Sequence, residues 1–259
     1  MICALVIALR RIQSVGSVLH LLSNTRGLNM SIRAVLFDLD NTLTHRGRSV
    51  ATFSQDLADT YQSQLNCVDV EQIESIVNRI DNGGYPLKEY LTHPSIGASV
   101  AYALLQELNW QVSPHLEALS NFWFEQFGCS AVAMPEAEQT LTRLKQAGYK
   151  LAVISNGGHA TRLSILNGLG FQHYFDVINS SGLFGQAKPQ VDIFIDTVQQ
   201  LAVEVEQCLF IGDHPINDIQ GAQQAGMQAL WLSGFHVPSV QMSAPSITAL
   251  SEIFDYLER

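Results

Sequence analysis

Ala34-Val35-Leu36-Phe37-Asp38-Leu39-Asp40-Asn41-Thr42 runs four apolar residues straight into a pair of carboxylates. An apolar run of that length, bounded by polar turn residues, reads as a strand buried on both faces. The strand ends at Asp38, and the i, i+2 spacing lets Asp38 and Asp40 approach one centre from a single short segment. Four later runs have the same character, at 150–154, 176–179, 208–211 and 228–232. Amphipathic stretches lie between them at 135–147, 159–169, 192–201 and 217–225, the first opened by Pro135 and ended by Gly148. Strands alternating with helices predict an α/β fold, a Rossmann-like parallel sheet flanked by helices.

One region breaks the alternation. Residues 47–128 hold no strand-like run but four amphipathic stretches, at 52–65, 70–80, 95–108 and 114–127. They predict an α-helical cap domain (47–128) inserted between the first and second strands of a core made of residues 31–46 and 129–259. A last helix is expected over 247–257, with Ile253, Phe254 and Leu257 on one face. Residues 1–30 fit neither part. Their apolar start precedes Arg10 and Arg11 instead of following them, and is too short to span a bilayer. They read as a poorly ordered N-terminal extension.

Composition narrows the function. Hydrophobic residues at 47% against 15% charged predict a folded globule. A formal net charge of -10 with no Lys/Arg-rich run argues against a nucleic-acid partner, and no segment argues for a membrane partner. Cys3, Cys67, Cys129 and Cys208 are scattered without a CxxC pair, which predicts neither zinc site nor disulfide framework and suits a cytoplasmic setting.

In open parallel sheets, functional residues gather beyond the carboxyl ends of the strands. There lie Asp38 and Asp40 after the first strand, and Ser155-Asn156-Gly157 after the second. Lys188-Pro189 falls between the third and fourth, and Gly212-Asp213 with Asp218 after the fourth. These residue types suit one chemistry. Asp38 can attack as a nucleophile, and Asp40 can act as general acid and then base. Asp213 is a hard oxygen ligand of the kind Mg²⁺ requires, and Asp218 can hold metal waters. Lys188, the Ser155 hydroxyl and backbone N–H groups at Asn156-Gly157 can receive a phosphoryl group. Each element alone has a plain structural reading: Ser-Asn-Gly is good turn chemistry, and Gly-Asp is a common turn with Asn217 as a helix cap. Their ordered occurrence at strand ends is what carries the functional reading.

That set resembles the haloacid dehalogenase-like (HAD) superfamily of hydrolases, and among them subfamily I with a C1-type helical cap. The four motifs are Phe37-Asp38-Leu39-Asp40-Asn41-Thr42-Leu43, Ile154-Ser155-Asn156-Gly157, Ala187-Lys188-Pro189, and Ile211-Gly212-Asp213-His214-Pro215-Ile216-Asn217-Asp218. The resemblance implies a Mg²⁺-dependent phosphatase working through a phosphoaspartate on Asp38. It assigns Asp38, Asp213 and the Asp40 backbone carbonyl to the metal, with Asp218 behind them. Ser155, Asn156 and Lys188 fall to the phosphate, and Thr42 to orienting Asp40. The implied substrate is a small phosphorylated metabolite of nucleotide, flavin-precursor or sugar-phosphate type. Oligomeric state is not legible.

Asp40 and the acidic pair Asp213 and Asp218 weigh against a dehalogenase, which needs no proton donor for a leaving alkoxide. A phosphomutase would share every motif, and a non-catalytic phospho-ligand-binding protein keeps a small share. Phosphonate chemistry would need a cap lysine, and Lys88 is the sole candidate there, more simply read as a solvated surface residue. His45, Tyr85 and Lys88 are candidates for reading the leaving group, with Tyr90, His93 and His159 behind them. Trp123 and Phe124 are expected to pack the insert's own core.

Overall fold

The computed structural model describes residues 31–238 and 243–258, and the expectation for residues 1–30 lies outside them. The strands are β1 (Ala34–Phe37), β2 (Lys150–Ser155), β3 (Val177–Ser180), β4 (Cys208–Gly212), β5 (Gln228–Leu232) and β6 (Ser246–Ile247). They form one parallel sheet in the order β3-β2-β1-β4-β5-β6. The chain runs outward from β1 to one edge, returns, and continues to the other. β1 therefore stands at the switch of direction, where such sheets open a crevice beyond their carboxyl ends. Alternation along each central strand splits the core into two layers. Val35, Phe37, Leu151, Val153, Leu209 and Ile211 face one side. Ala34, Leu36, Ala152, Ile154, Cys208 and Phe210 face the other. Strands covered on both faces need apolar residues at every position, which is why these segments read as runs.

Between β1 and β2 lie α1 (Arg46–Tyr61), α2 (Val70–Asp81), α3 (Ile96–Glu107) and α4 (Leu116–Cys129). The first begins six residues before the stretch expected to start at Thr52, because the His45 imidazole accepts the Arg48 N–H and caps it. Asp69 and Ser95 cap the next two in the same way. The four helices bury Phe53, Leu57, Ile73, Val100 and Trp123 in a core continuous with the first layer of the sheet. Trp123 stacks on Phe127 at 4.4 Å and is 3% exposed, as expected. Phe124 is 46% exposed, contrary to expectation. It lies one residue past Trp123, about 100° around the helix and off the buried stripe.

α5 (Ala137–Gln146) precedes β2, α6 (His159–Gly168) follows it, and α7 (Val191–Leu201) follows β3. α5 starts two residues later than Pro135, because Glu136 adopts φ 65° and cannot belong to the helix. α4 crosses α6 at a contact of two glycines: a Cβ on Gly168 would fall onto the Gly128 carbonyl oxygen. After β4 the chain enters a π-helical stretch (Pro215–Gln220) and a short α-helical one (Gly221–Gln224). His214, not Asn217, caps it, its Nδ1 accepting the Ile216 and Asn217 N–H groups at 3.1 Å each. The expected helix over 247–257 is shorter. Ser246–Ile247 is instead the edge strand β6, too short for its pairing to show as alternation, and the α-helix spans only Ile253–Leu257.

Candidate active site

Beyond the carboxyl ends of β1, β2 and β4 lies a cleft of about 310 Å³. The core contributes Asp38, Asp40, Ser155, Asn156 and Lys188 to its wall, and the inserted segment contributes Gly84, Tyr85 and Pro86. Asp38 follows β1 directly, and its backbone N–H still pairs with the Ile211 carbonyl at 2.9 Å. The ladder thus fixes the Asp38 backbone beside the last residues of β4, and brings Asp213 and Asp218 to it.

Lys188 Nζ lies between two of these acids, 2.6 Å from Asp38 Oδ1 and 2.6 Å from Asp218 Oδ1, all three side chains essentially buried. Asp218 Oδ2 accepts the His214 N–H at 2.9 Å. Asp38 Oδ2 and both Asp213 oxygens are buried with no hydrogen-bond partner. One oxygen from each of Asp38, Asp213 and Asp218 lies within 4.8 Å of the others. The electrostatics follow from the count. Burial pushes the Asp38 carboxyl well above the usual range; Lys188 lowers it, but Asp218 and Asp213 raise it further. Burial likewise pushes Asp213 up to about 6, against the pull of His236. One lysine among three buried carboxylates leaves the group short of positive charge. Hard oxygen donors, unpartnered and convergent, fit a divalent cation such as Mg²⁺. Asp218, expected behind the metal, has an oxygen within the same 4.8 Å of Asp38 and Asp213.

Asp40 is held differently. Arg46 Nη1 bonds Asp40 Oδ1 at 2.9 Å, and Arg162 Nη1 bonds Asp40 Oδ2. Burial would raise this carboxyl, but the charges and hydrogen bonds of Arg162 and Arg46 outweigh it and keep it low. Arg46 also grips Asp81 at the end of α2, Nε to Oδ2 at 3.0 Å and Nη2 to Oδ1 at 2.5 Å. Asp81 in turn accepts the Gly84 N–H at 3.1 Å. Gly84, at φ 90°, lies so near Asp40 that an added Cβ would stand 3.4 Å from Oδ2. The loop from the insert is thereby tied to the second acid of the core.

The other expected residues divide. Ser155 is buried in the cleft wall and faces Arg162 Nη1 at 3.4 Å. Asn156 clamps the third motif, its Oδ1 accepting the Lys188 N–H at 2.8 Å and its Nδ2 donating to the Lys188 carbonyl at 3.1 Å. Tyr85 lines the cleft, and burial beside Asp38 and the other acids pushes its phenol strongly up, so it stays neutral. Thr42 was expected to orient Asp40, but its hydroxyl has no hydrogen-bond partner, and the two arginines do that work. His45 caps α1 and meets Phe235 edge-on at 5.7 Å, outside the cleft wall. Lys88 sits exposed on a short turn and is not part of the cleft wall.

Arg46, Arg162, Asp81 and His236 were not foreseen. The first three carried a readable signal. Arg46 stands at i−3, i−4 and i−7 from Ser49, Val50 and Phe53 on the buried face of α1. Arg162 holds the same relation to Ile165 and Leu166, and Asp81 follows Val77 by one turn. A charge on an apolar stripe needs a buried partner, and three such charges call for one another. His236 carries no such mark.

The chain belongs to the haloacid dehalogenase-like hydrolases, whose family model matches residues 32–226. Among curated relatives it is 27% identical over 223 residues to the phosphoglycolate phosphatase of Aquifex aeolicus, covering 83% of this chain and 94% of that one. It is 31% identical over 122 residues to the phosphoserine phosphatase of Thermus thermophilus, where the match spans 46% of this chain and about half, 49%, of the relative. Its fold is shared with the HAD-hydrolase YfnB of Bacillus subtilis, solved bound to magnesium (TM-score 0.65, 22% identity, 88% of this chain and 100% of that one). It is shared equally with the L-2-haloacid dehalogenase of Xanthobacter autotrophicus (TM-score 0.64, 19% identity, 88% and 98%). Among the described residues no helix is long and apolar enough to cross a membrane.

Proposed function

We propose that this chain is a phosphoric monoester hydrolase that uses Mg²⁺ and a phosphoaspartate on Asp38 to cleave a small phosphorylated metabolite. The observation that carries the reading is the state of Asp38, a residue of the cleft wall: one oxygen is on Lys188, and the other is buried without a partner. Asp38, Asp213 and Asp218 would hold the cation, together with the Asp40 carbonyl that the family resemblance adds. When bound, the cation offsets the charge of carboxylate and phosphate so that the two can meet. The free oxygen of Asp38 attacks phosphorus, the bond to the leaving oxygen breaks, and that oxygen takes a proton from Asp40. Water then attacks the phosphoaspartate, Asp40 takes its proton, and phosphate leaves with Asp38 restored. Ser155 and Lys188 receive the phosphoryl oxygens, with Asn156 fixing the Lys188 backbone. The arginine-held Asp40 is set as the carboxylate that the second step needs. Serving as acid in the first step requires it to turn from one arginine and to carry a proton, which the water consumed in the second step of the preceding turnover supplies.

The inserted segment 47–128 would act as the cap that reads the leaving group, with Tyr85 as its reader in the cleft wall. A cleft of about 310 Å³ is at the small end of ligand sites, roughly 300–1,000 Å³, which favours short sugar phosphates and phospho-acids over nucleotides and flavin precursors. The activity of the Aquifex relative points the same way. Asp40 argues against dehalogenation despite the shared fold. Hydrolysis of p-nitrophenyl phosphate tests the proposal, measured with Mg²⁺, with EDTA, and with Asp38→Asn. Turnover that needs both the metal and Asp38 is expected. Turnover surviving either loss refutes the mechanism.

A further inference from the structure

Asp213 is the least supported of the site carboxylates. It is fully buried at the end of β4, and neither oxygen accepts a hydrogen bond. The backbone is pinned, since Trp231 Nε1 donates to the Asp213 carbonyl at 2.8 Å, but the carboxylate itself is not. Cations bind tightly where ligands are oriented by groups behind them. The base that stands behind Asp213 is His236, with Nε2 3.2 Å from Asp213 Oδ2. That is close contact without hydrogen-bond alignment, and Nε2 is itself buried with no hydrogen-bond partner. His236 follows β5, beyond all four sequence motifs.

The His236 ring is held in turn. Tyr85 meets it edge-on at 4.9 Å, and His214 lies 4.7 Å away. Tyr85 also packs on His214 at 4.9 Å, and the His214 backbone supports Asp218. One ring of the inserted segment thus rests on the supports of both carboxylates that follow β4.

We propose that His236 is a positioning residue for the metal ligand Asp213, and that Tyr85 couples it to the inserted segment, so that cation affinity depends on a contact between the insert and the chain after β5. The proposal rests on the metal-dependent reading above and deepens it. His236 backs the Oδ2 side of the Asp213 carboxylate and so limits how that carboxylate can turn. By linkage, the bound cation also strengthens the Tyr85 contact.

Isothermal titration of the full chain with Mg²⁺, repeated with Mn²⁺, tests this. His236→Ala is expected to weaken both ions about 10–100-fold, and His236→Gln, which keeps a donor, to recover part of the loss. Tyr85→Ala is expected to weaken binding about fivefold or more, whereas Tyr85→Phe, which keeps the ring, binds as the unaltered chain does. Circular dichroism and a urea midpoint identify any variant that fails to fold; should His236→Ala fail, the Tyr85 pair carries the test. Unchanged affinity in His236→Ala overturns the proposal, as does tighter binding, which would make His236 a competitor of the cation. If the unaltered chain takes up neither ion, the metal-dependent reading falls and this proposal falls with it.

Discussion

Replacing Arg46 with methionine removes a charge from a place where water cannot replace it. The Arg46 and Asp81 side chains are 2% and 0% exposed, and two hydrogen bonds of 3.0 and 2.5 Å join them. Asp40 would keep Arg162, so the loss falls on Asp81, left with the Gly84 N–H as its remaining donor. Breaking a buried pair on one side costs about 3–5 kcal/mol. Methionine preserves the packing of the aliphatic stem, but the guanidinium now 4.3 Å over the buried Phe127 ring is lost, at about 2 kcal/mol for a desolvated pair. A loss of about 5 kcal/mol or more would be a large part of the roughly 5–15 kcal/mol that holds a domain folded. Urea unfolding followed by tryptophan fluorescence reads it, since Trp123 stacks on Phe127 in the same core. Adding Asp81→Asn to the variant removes the stranded charge and should restore about 2 kcal/mol. A single-variant loss below about 1 kcal/mol would place Asp81 in the range of solvated pairs and refute the reasoning.

Lys188→Met should cut kcat by about 100-fold or more, through loss of a preorganised charge at the phosphoryl site, and an unchanged rate would remove Lys188 from the mechanism. Gly97→Ala sets a methyl 2.6 Å from the Trp123 ring carbon Cγ and should cost about 1–3 kcal/mol by overpacking, seen as a lower urea midpoint. An unshifted midpoint would mean α3 and α4 separate freely. Asp176 accepts the Leu151 N–H at 2.8 Å and pairs with Lys145 at 3.0 Å; burial would raise its carboxyl, but these contacts lower it. Its stabilising effect should be full above the unfolded value, about 3.9, and vanish as pH falls through the lower folded one. Asp176→Asn should therefore cost under about 1 kcal/mol at neutral pH and nothing in strong acid; a difference persisting there would contradict the sign.

The sheet was legible because burial on both faces forces apolar residues at every strand position. β1, β2 and β4 at the centre therefore announced themselves most plainly. The edge strand β3 and the outer strand β5 carry polar residues and showed less plainly, and the two-residue β6 had no room to show at all. The meeting of Asp38, Asp40, Ser155, Lys188 and Asp213 beyond one end of the sheet was legible because strand ends in such a sheet share one crevice. The arginine pair is written in the helix periodicity, but Arg46 lies before the stretch that reads as helical, and Arg162, inside one, shows its buried partner only in three dimensions. Thr42 shows the limit of this: proximity in sequence to a motif does not aim a side chain, and its hydroxyl has no hydrogen-bond partner. The exposure of Lys88 agrees with its plainer reading as a solvated surface residue. Nothing in the one-dimensional pattern joins Tyr85, His214 and His236, which meet only through the return of the chain after β5.

The glycine contact between α4 and α6 has a consequence at a distance. Phe127, the residue before Gly128, is the surface on which the Arg46 guanidinium lies, and Arg46 sets one oxygen of Asp40. Arg162, on the partner helix, sets the other. Of the two helices that touch at Gly128 and Gly168, α6 therefore carries one jaw of a vice closed on one carboxylate, and α4 backs the other, which α1 carries. The missing side chains at the crossing act as its gauge, fixing how far the jaws stand apart.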